Sequence, residues 1–127
     1  MSHKTVWEEL GVYWKIEGTL TSTELFEFNE ELLEANAIDK IKHFLVDCLD
    51  VTTYLDDTDD AELTATQSTS ITMYNKKLVG AFVLDTPLLD GLVKDYVANM
   101  AAMGAPWELE QFDNLEDARN WLKSMTY

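Results

Sequence analysis

Between Tyr54 and Leu63 the chain sets Asp56, Asp57, Asp59, Asp60 and Glu62 around one hydroxyl, Thr58. Such a stretch can hold a cation on its carboxylates, take a phosphate on its hydroxyl, or simply begin a helix. As a calcium loop, Asp56, Thr58 and Asp60 occupy alternating ligand positions. The sharp-turn glycine is Ala61, however, and the bidentate glutamate is Gln67, so no metal is assigned. As a helix start the cluster explains itself. Asp57, Thr58 or Asp59 caps, and the remaining acids face exposed amides and the positive end of the dipole.

Other reacting groups are sparse. Asp50, Asp85 and Asp113 each end a predicted strand, where ligands gather in open α/β sheets. A metal-dependent phosphoryl-transfer enzyme would place a nucleophilic aspartate and magnesium there. Asp47 and Asp50 are spaced D-x-x-D, which puts them on opposite faces of a regular strand, and no glycine-rich phosphate loop follows any strand. Cys48 stands alone inside an apolar run, which excludes a disulfide within the chain or a four-ligand zinc site and predicts a buried, inert thiol. His3 and His43 have no triad context. Trp14, Phe26, Phe28, Tyr74, Tyr96 and Trp121 could line an apolar pocket, but their spacing reads as core. No catalytic residue and no cofactor is assigned.

Twenty-four acids against nine Lys and Arg give a net charge of −15. That surface repels nucleic-acid phosphates and anionic lipid heads and favours basic partners. An apolar content of 46% over 127 residues supports one folded domain, residues 1–127. The opening MSHKTVWEEL has no apolar leader segment, and LVGAFVL is too short to span a bilayer. The expectation is a cytoplasmic protein.

The elements alternate along the chain. TVWEEL and VYWKIEG, separated around Gly11, predict an antiparallel hairpin. In TSTELFEFNEELLEAN, Thr21 caps a helix and Glu24 can reach back to the cap amide, while Leu25, Phe28 and Leu32 share a face and Asn36 stops it. HFLVDCLDV carries Phe44, Val46 and Cys48 on one side and Leu45 and Leu49 on the other, a central strand covered on both faces. DAELTATQSTSITMYNKK predicts a helix with an acidic first turn and a basic last one. KLVGAFVLD is a second central strand. Thr86 and Pro87 open a helix that turns Leu89, Leu92, Val93, Tyr96, Val97 and Met100 inward, with Gly104 beyond its end. WELEQFD alternates as an edge strand, with Trp107, Leu109 and Gln111 opposite Glu108, Glu110 and Phe112. Asp113 is expected to cap a last helix bearing Leu115, Ala118, Trp121, Leu122 and Met125. The fold class is α/β in the order ββαβαβαβα: a single mixed, mostly parallel sheet of four to five strands flanked by four helices.

Placed in this order, the segments GVYWKIEGTLTSTELFEF, HFLVDCLDV, KLVGAFVLD and WELEQFDNLEDARNWL resemble the SpoIIAA-like family of small bacterial STAS-type proteins, from Val6 to Leu122. The resemblance implies that fold, no established enzyme activity, and a further likeness to lipid-carrier domains that hold an apolar ligand between helix and sheet. STAS-type anti-sigma-factor antagonists are phosphorylated in a D-S-[ST]-G-L stretch where a central strand passes into the next helix. The resemblance puts Thr58 at the phosphoacceptor position and Asp56 at the motif's acid, with Asp57, Asp59 and Asp60 in place of Ser, Gly and Leu. Each carboxylate about 6 Å from a phosphate opposes it by roughly 1 kcal/mol, and the helix dipole returns only about 0.3–1 kcal/mol. The loop therefore reads as a site that has lost the switch or carries its charged state permanently.

The leading expectation is a non-enzymatic interaction domain with a protein partner, a basic one by charge, at loop 54–63. A carrier of a small apolar ligand beneath the Met100/Met103 helix is the alternative, and a live Thr58 phosphosite a weaker one. A two-fold dimer through an exposed edge strand is compatible with the pattern. Segments 43–50 and 78–85 are expected side by side at the centre, with the acidic bend at their shared rim.

Overall fold

The structure, a computed structural model, describes residues 3–21, 23–24, 27–28, 30–31, 40–55, 77–102, 104 and 107–126. Five strands form one sheet in sequential order: β1 (His3–Trp7), β2 (Gly11–Thr21), β3 (His43–Leu55), β4 (Val79–Val83) and β5 (Glu108–Phe112). β1 runs antiparallel to β2, and every later pairing is parallel. The hairpin, the two central strands and the β5 edge are those the alternation predicts. Helices span Pro87–Ala102 and Leu115–Thr126, and the described residues within 23–31 are helical. Stretches expected to carry Asn36 and the helix after the acidic bend lie outside the described residues.

Strand parity sorts the core into two layers. Even-numbered residues of β2 and the first part of β3, among them Val12, Trp14, Ile16, Phe44, Val46 and Cys48, pack with Phe28 and with Leu89, Val93 and Met100 of the Pro87–Ala102 helix. Leu45, Val79, Ala81 and Val83 face the other way, onto Ala118 and Leu122 of the C-terminal helix. The apolar positions expected inward on both helices are buried or half-buried in these layers, except Met125, which is 39% exposed. Gly80 has a packing reason: a Cβ there would lie 2.1 Å from Phe44 Cζ, so the ring occupies the space a side chain would take.

Local caps set the helix ends. Glu24 N donates to Thr21 Oγ1 at 3.2 Å and Thr21 N donates to Glu24 Oε1 at 3.4 Å, the reciprocal box expected. Gly104 adopts φ 75° after the Pro87–Ala102 helix, where its amide donates to Ala101 O at 3.0 Å. The last helix is capped one residue later than expected. Asp117 N donates to Asn114 Oδ1 at 2.8 Å, so Asn114, not Asp113, holds the first turn. Asp113 instead accepts from Asn114 Nδ2 at 2.7 Å.

β3 departs most from expectation. It pairs with β4 only from His43↔Val79 to Asp47↔Val83, then continues through residues 48–55 beside β2 as far as Thr21↔Leu55. The acidic bend therefore does not begin at a rim shared with β4. It follows a two-stranded ribbon whose extra residues span roughly 25 Å at about 3.3 Å each.

Candidate functional site

Two bulges shape that ribbon. Register passes from Lys15↔Asp47 to Glu17↔Asp50, and from Gly18↔Val51 to Thr19↔Thr53, each shift adding one residue to β3. At the first, Leu49 N donates to Asp47 Oδ1 at 3.0 Å. Alternation is broken there, so Cys48 and Val51, three apart, enter the same apolar layer. Asp47 and Asp50, expected on opposite faces, both meet Lys15 Nζ, at 3.2 and 2.8 Å. A regular strand would have separated them.

Asp47 is fully buried in the sheet centre. Besides Lys15 and the Leu49 amide, it accepts from Tyr13 Oη at 2.6 Å. Burial, then this bond to Asp47, pushes the Tyr13 hydroxyl up to about 12. Burial alone would lower the Lys15 ammonium, but the bonds to Asp50 and Asp47 outweigh it and raise it above the usual lysine range. Arg119 of the C-terminal helix lies 5.3 Å from the Tyr13 ring centroid. It also donates twice to Glu8, at 2.7 and 2.8 Å, which holds that carboxyl below its ordinary range. Glu8 Oε1 lies 3.3 Å from His43 Nε2. The His43 ring rests against Gly11, where a Cβ would come 2.6 Å from Nε2, and burial lowers its proton affinity. A cleft of about 210 Å³ opens beside this latch, lined by Glu8, Glu9, Leu10, His43, Arg119, Leu122 and Lys123.

Asp47 is neutralised by Lys15 and hydrogen-bonded by Tyr13, and Cys48 is pushed up to about 12 by burial and then by Asp47, as expected of an inert thiol. Among the described residues no cluster of three His, Cys, Asp or Glu side chains is arranged to hold a metal, and no helix is long and apolar enough to cross a membrane. Asp56, Asp57, Thr58, Asp59, Asp60 and Glu62 lie outside the described residues, as do Phe26, Tyr74 and Met103. Leu55 delivers the chain directly to Asp56. Met100, on the helix under which the alternative reading put an apolar ligand, is 2% exposed and packed in the core.

Sequence reasoning missed the network on the C-terminal helix side, although one signal was present. A lone acid within FLVDCL, a run buried on both faces, requires partners to stay charged. Which partners was not visible, because Tyr13 and Lys15 are separated from it by 34 and 32 residues.

No family profile matches the sequence, and no curated protein aligns with it. Solved structures do. One is an uncharacterized protein of the DUF3478 family with a SpoIIAA-like fold from Shewanella loihica PV-4, at TM-score 0.52 and 19% identity, covering 94% of this chain and 91% of that one. The chain has a SpoIIAA-like, STAS-type fold. The anti-sigma factor antagonist SpoIIAA in its unphosphorylated form aligns over 96% of both chains, at TM-score 0.63 and 8% identity. At such identities this SpoIIAA-like likeness concerns the backbone path and carries no side-chain role across.

Proposed function

We propose that this SpoIIAA-like chain is a non-enzymatic interaction domain of a regulatory kind, whose partner-facing surface is the acidic strand-to-helix loop 54–63. The observation that carries the reading is the β2–β3 ribbon. It runs past the end of β4 and carries the described chain to Leu55, the residue before Asp56. Leu55 at its tip is 54% exposed, so an apolar contact stands immediately before five carboxylates. A partner with an apolar contact and a basic rim is the complement of that surface, and the net charge of −15 would steer it.

The buried thiol of Cys48, pushed up to about 12 by burial and then by Asp47, supports a non-catalytic reading, since it stays protonated at neutral pH. One protein of this fold is named an anti-sigma factor antagonist, a role exercised on another protein. Aromatic rings occupy the layer beneath the Pro87–Ala102 helix, with Phe44 centred 5.9 Å from both Phe82 and Trp107, which favours an interaction role over a carrier.

Affinity capture from the native lysate tests the proposal, with the wild type beside a variant carrying Asp56→Asn, Asp57→Asn, Asp59→Asn and Asp60→Asn together. The expected result is a basic partner retained by the wild type, lost by the variant and released by salt. Identical partner profiles overturn the assignment. A lipid-sized mass held through native mass spectrometry supports the carrier instead.

A further inference from the structure

β1 is an edge strand that buries no apolar side chain. Along it His3 and Thr5 are half-buried, while Lys4, Val6 and Trp7 are exposed. What fastens it to the helical residues 23–31 is a set of polar pairs around one ring. The His3 side chain is only 4% exposed, with Nδ1 3.0 Å from Glu24 Oε2 and Nε2 3.1 Å from Glu31 Oε2. The same ring packs at right angles to Phe28, 4.8 Å between centroids. Thr5 Oγ1 donates to the other Glu31 oxygen. The two acids are not equivalent. Glu24 is 6% exposed and its second oxygen accepts from Thr21 N, whereas Glu31 is 30% exposed.

These contacts fix a proton count. A neutral imidazole has one N–H and satisfies one carboxylate, and its other nitrogen would turn a lone pair on the second. The trio is therefore satisfied only when it holds one proton more than a neutral ring and two carboxylates. We propose that this proton is a switch: while it is held, His3, Glu24 and Glu31 clamp β1 onto the helical residues 23–31, and when it leaves, β1 comes away. No other described group supplies the charge. Across the ladder His3 faces Ile16, while Lys15 and Glu17 on either side alternate to the opposite face, as Lys4 does on β1. Lys15 is committed there to Asp47 and Asp50. On the helix, Glu27 lies between the two clamping acids in sequence, and its Oε2 is buried without a hydrogen-bond partner, so it adds negative charge and no donor. On loss of the proton, Glu31 is the arm that yields. It turns to water and takes the Thr5 contact with it, while Glu24 keeps the Thr21 amide. Closure needs the proton, so it is favoured at low pH and lost as pH rises through the range in which histidine titrates.

Amide hydrogen exchange on the full chain, read by NMR from about pH 6 to about pH 9, tests this. After correction for intrinsic exchange rates, protection of the β1 amides paired with β2 should fall about tenfold or more across the range, the worth of one charge-assisted hydrogen bond. The β3 and β4 amides should keep theirs, which separates release of β1 from unfolding of the sheet. Glu31→Gln is the decisive variant. Its carboxamide oxygen accepts from Thr5 and its N–H donates to the bare ring nitrogen, so the clamp closes without the extra proton. β1 should then stay protected throughout, with the step in pH gone. His3→Gln, which takes up no proton, should lose the step as well. A wild-type β1 indifferent to pH, a step that survives in either variant, or β3 amides loosening together with β1 overturns the proposal.

Discussion

Beneath the Pro87–Ala102 helix the sheet is covered by rings in contact. Trp14 stacks on Phe28 at 4.7 Å, and Phe44 meets Phe82 and Trp107 edge-on. Beneath the Leu115–Thr126 helix, the same strands carry a fully buried carboxylate, its ammonium and hydroxyl partners, and an arginine latch to the β1–β2 turn. Both faces bury comparable strands, yet they depend on different things. The aromatic face depends mainly on volume, since apolar groups of the right shape fill it, with one buried polar contact, His3 Nδ1 to Glu24 Oε2 at 3.0 Å, on its β1 side. The polar face depends on pairing, since each buried group is tolerable only while its partner stays.

The largest effect should come from breaking a pair. Asp47→Ala leaves the Tyr13 hydroxyl, the Leu49 amide and the Lys15 ammonium without their shared acceptor, although Lys15 keeps Asp50. Urea denaturation should show a loss of about 3–5 kcal/mol. Combining Asp47→Leu with Lys15→Met, which removes both charges, should cost clearly less than Asp47→Ala. Equal losses would mean that volume rather than pairing rules this face too. The converse test lies at Gly80, where Gly80→Ala drives a methyl into the Phe44 ring. Overpacking should cost about 1–3 kcal/mol. Adding Phe44→Leu should then recover part of that loss, measured by the same titrations, because a smaller side chain yields the space. No recovery would place the strain in the backbone instead.

The two faces also differ in how legible they were. Apolar alternation announces itself: Phe44, Val46 and Cys48 on one side and the inward stripe of the Pro87–Ala102 helix follow from spacing alone. So do the Thr21–Glu24 box and the alternation of β5, because their signals are local. What stayed hidden was non-local or depended on an irregularity. Glu8 and Arg119 meet across 111 residues. The bulge that gathers Asp47 and Asp50 onto Lys15 leaves no mark in a pattern that assumes strict alternation. The ribbon beyond Val51 was missed because Thr53 and Tyr54 pair with β2, past the bulged Thr52, while lacking the two-sided burial that marks the first part of β3. The shift from Asp113 to Asn114 at the last cap concerns two residues of similar capping strength, which composition does not rank.

A smaller effect belongs to the latch. Arg119→Met removes both bonds to Glu8 and the cation over Tyr13 while keeping the aliphatic stem. Arg119 is 41% exposed and Glu8 26%, so water and salt screen the pair. The expected loss is about 1–2 kcal/mol, the upper part coming from the bidentate geometry and the ring contact. Measured in low and high salt, the difference between wild type and variant should shrink as salt rises. A salt-independent loss would assign the effect to packing.

The smallest effect is a change with pH, and its sign follows from His43. The ring donates to Glu8 through Nε2, while the buried Nδ1 has no hydrogen-bond partner. A second proton would therefore sit on a buried nitrogen without an acceptor. Attraction to Glu8 opposes this and Arg119 adds to it, but burial is the largest cause, and the folded value lies below the ordinary 6.5. Below about 6.5 the unfolded chain takes up a proton that the folded chain refuses, so stability falls as pH drops from there to the folded value and levels off beneath it. Glu8, lowered beneath its ordinary 4.5, contributes in a separate and more acidic window, where stability falls again as it protonates. The first window is isolated by His43→Gln, which still offers a donor to Glu8 but takes up no proton. Wild-type stability by urea titration should decline between about pH 6.5 and pH 5.5, while the variant's declines less over that interval. Parallel declines would mean that His43 does not set this window, and that its bond to Glu8 rather than its burial governs the ring's proton affinity.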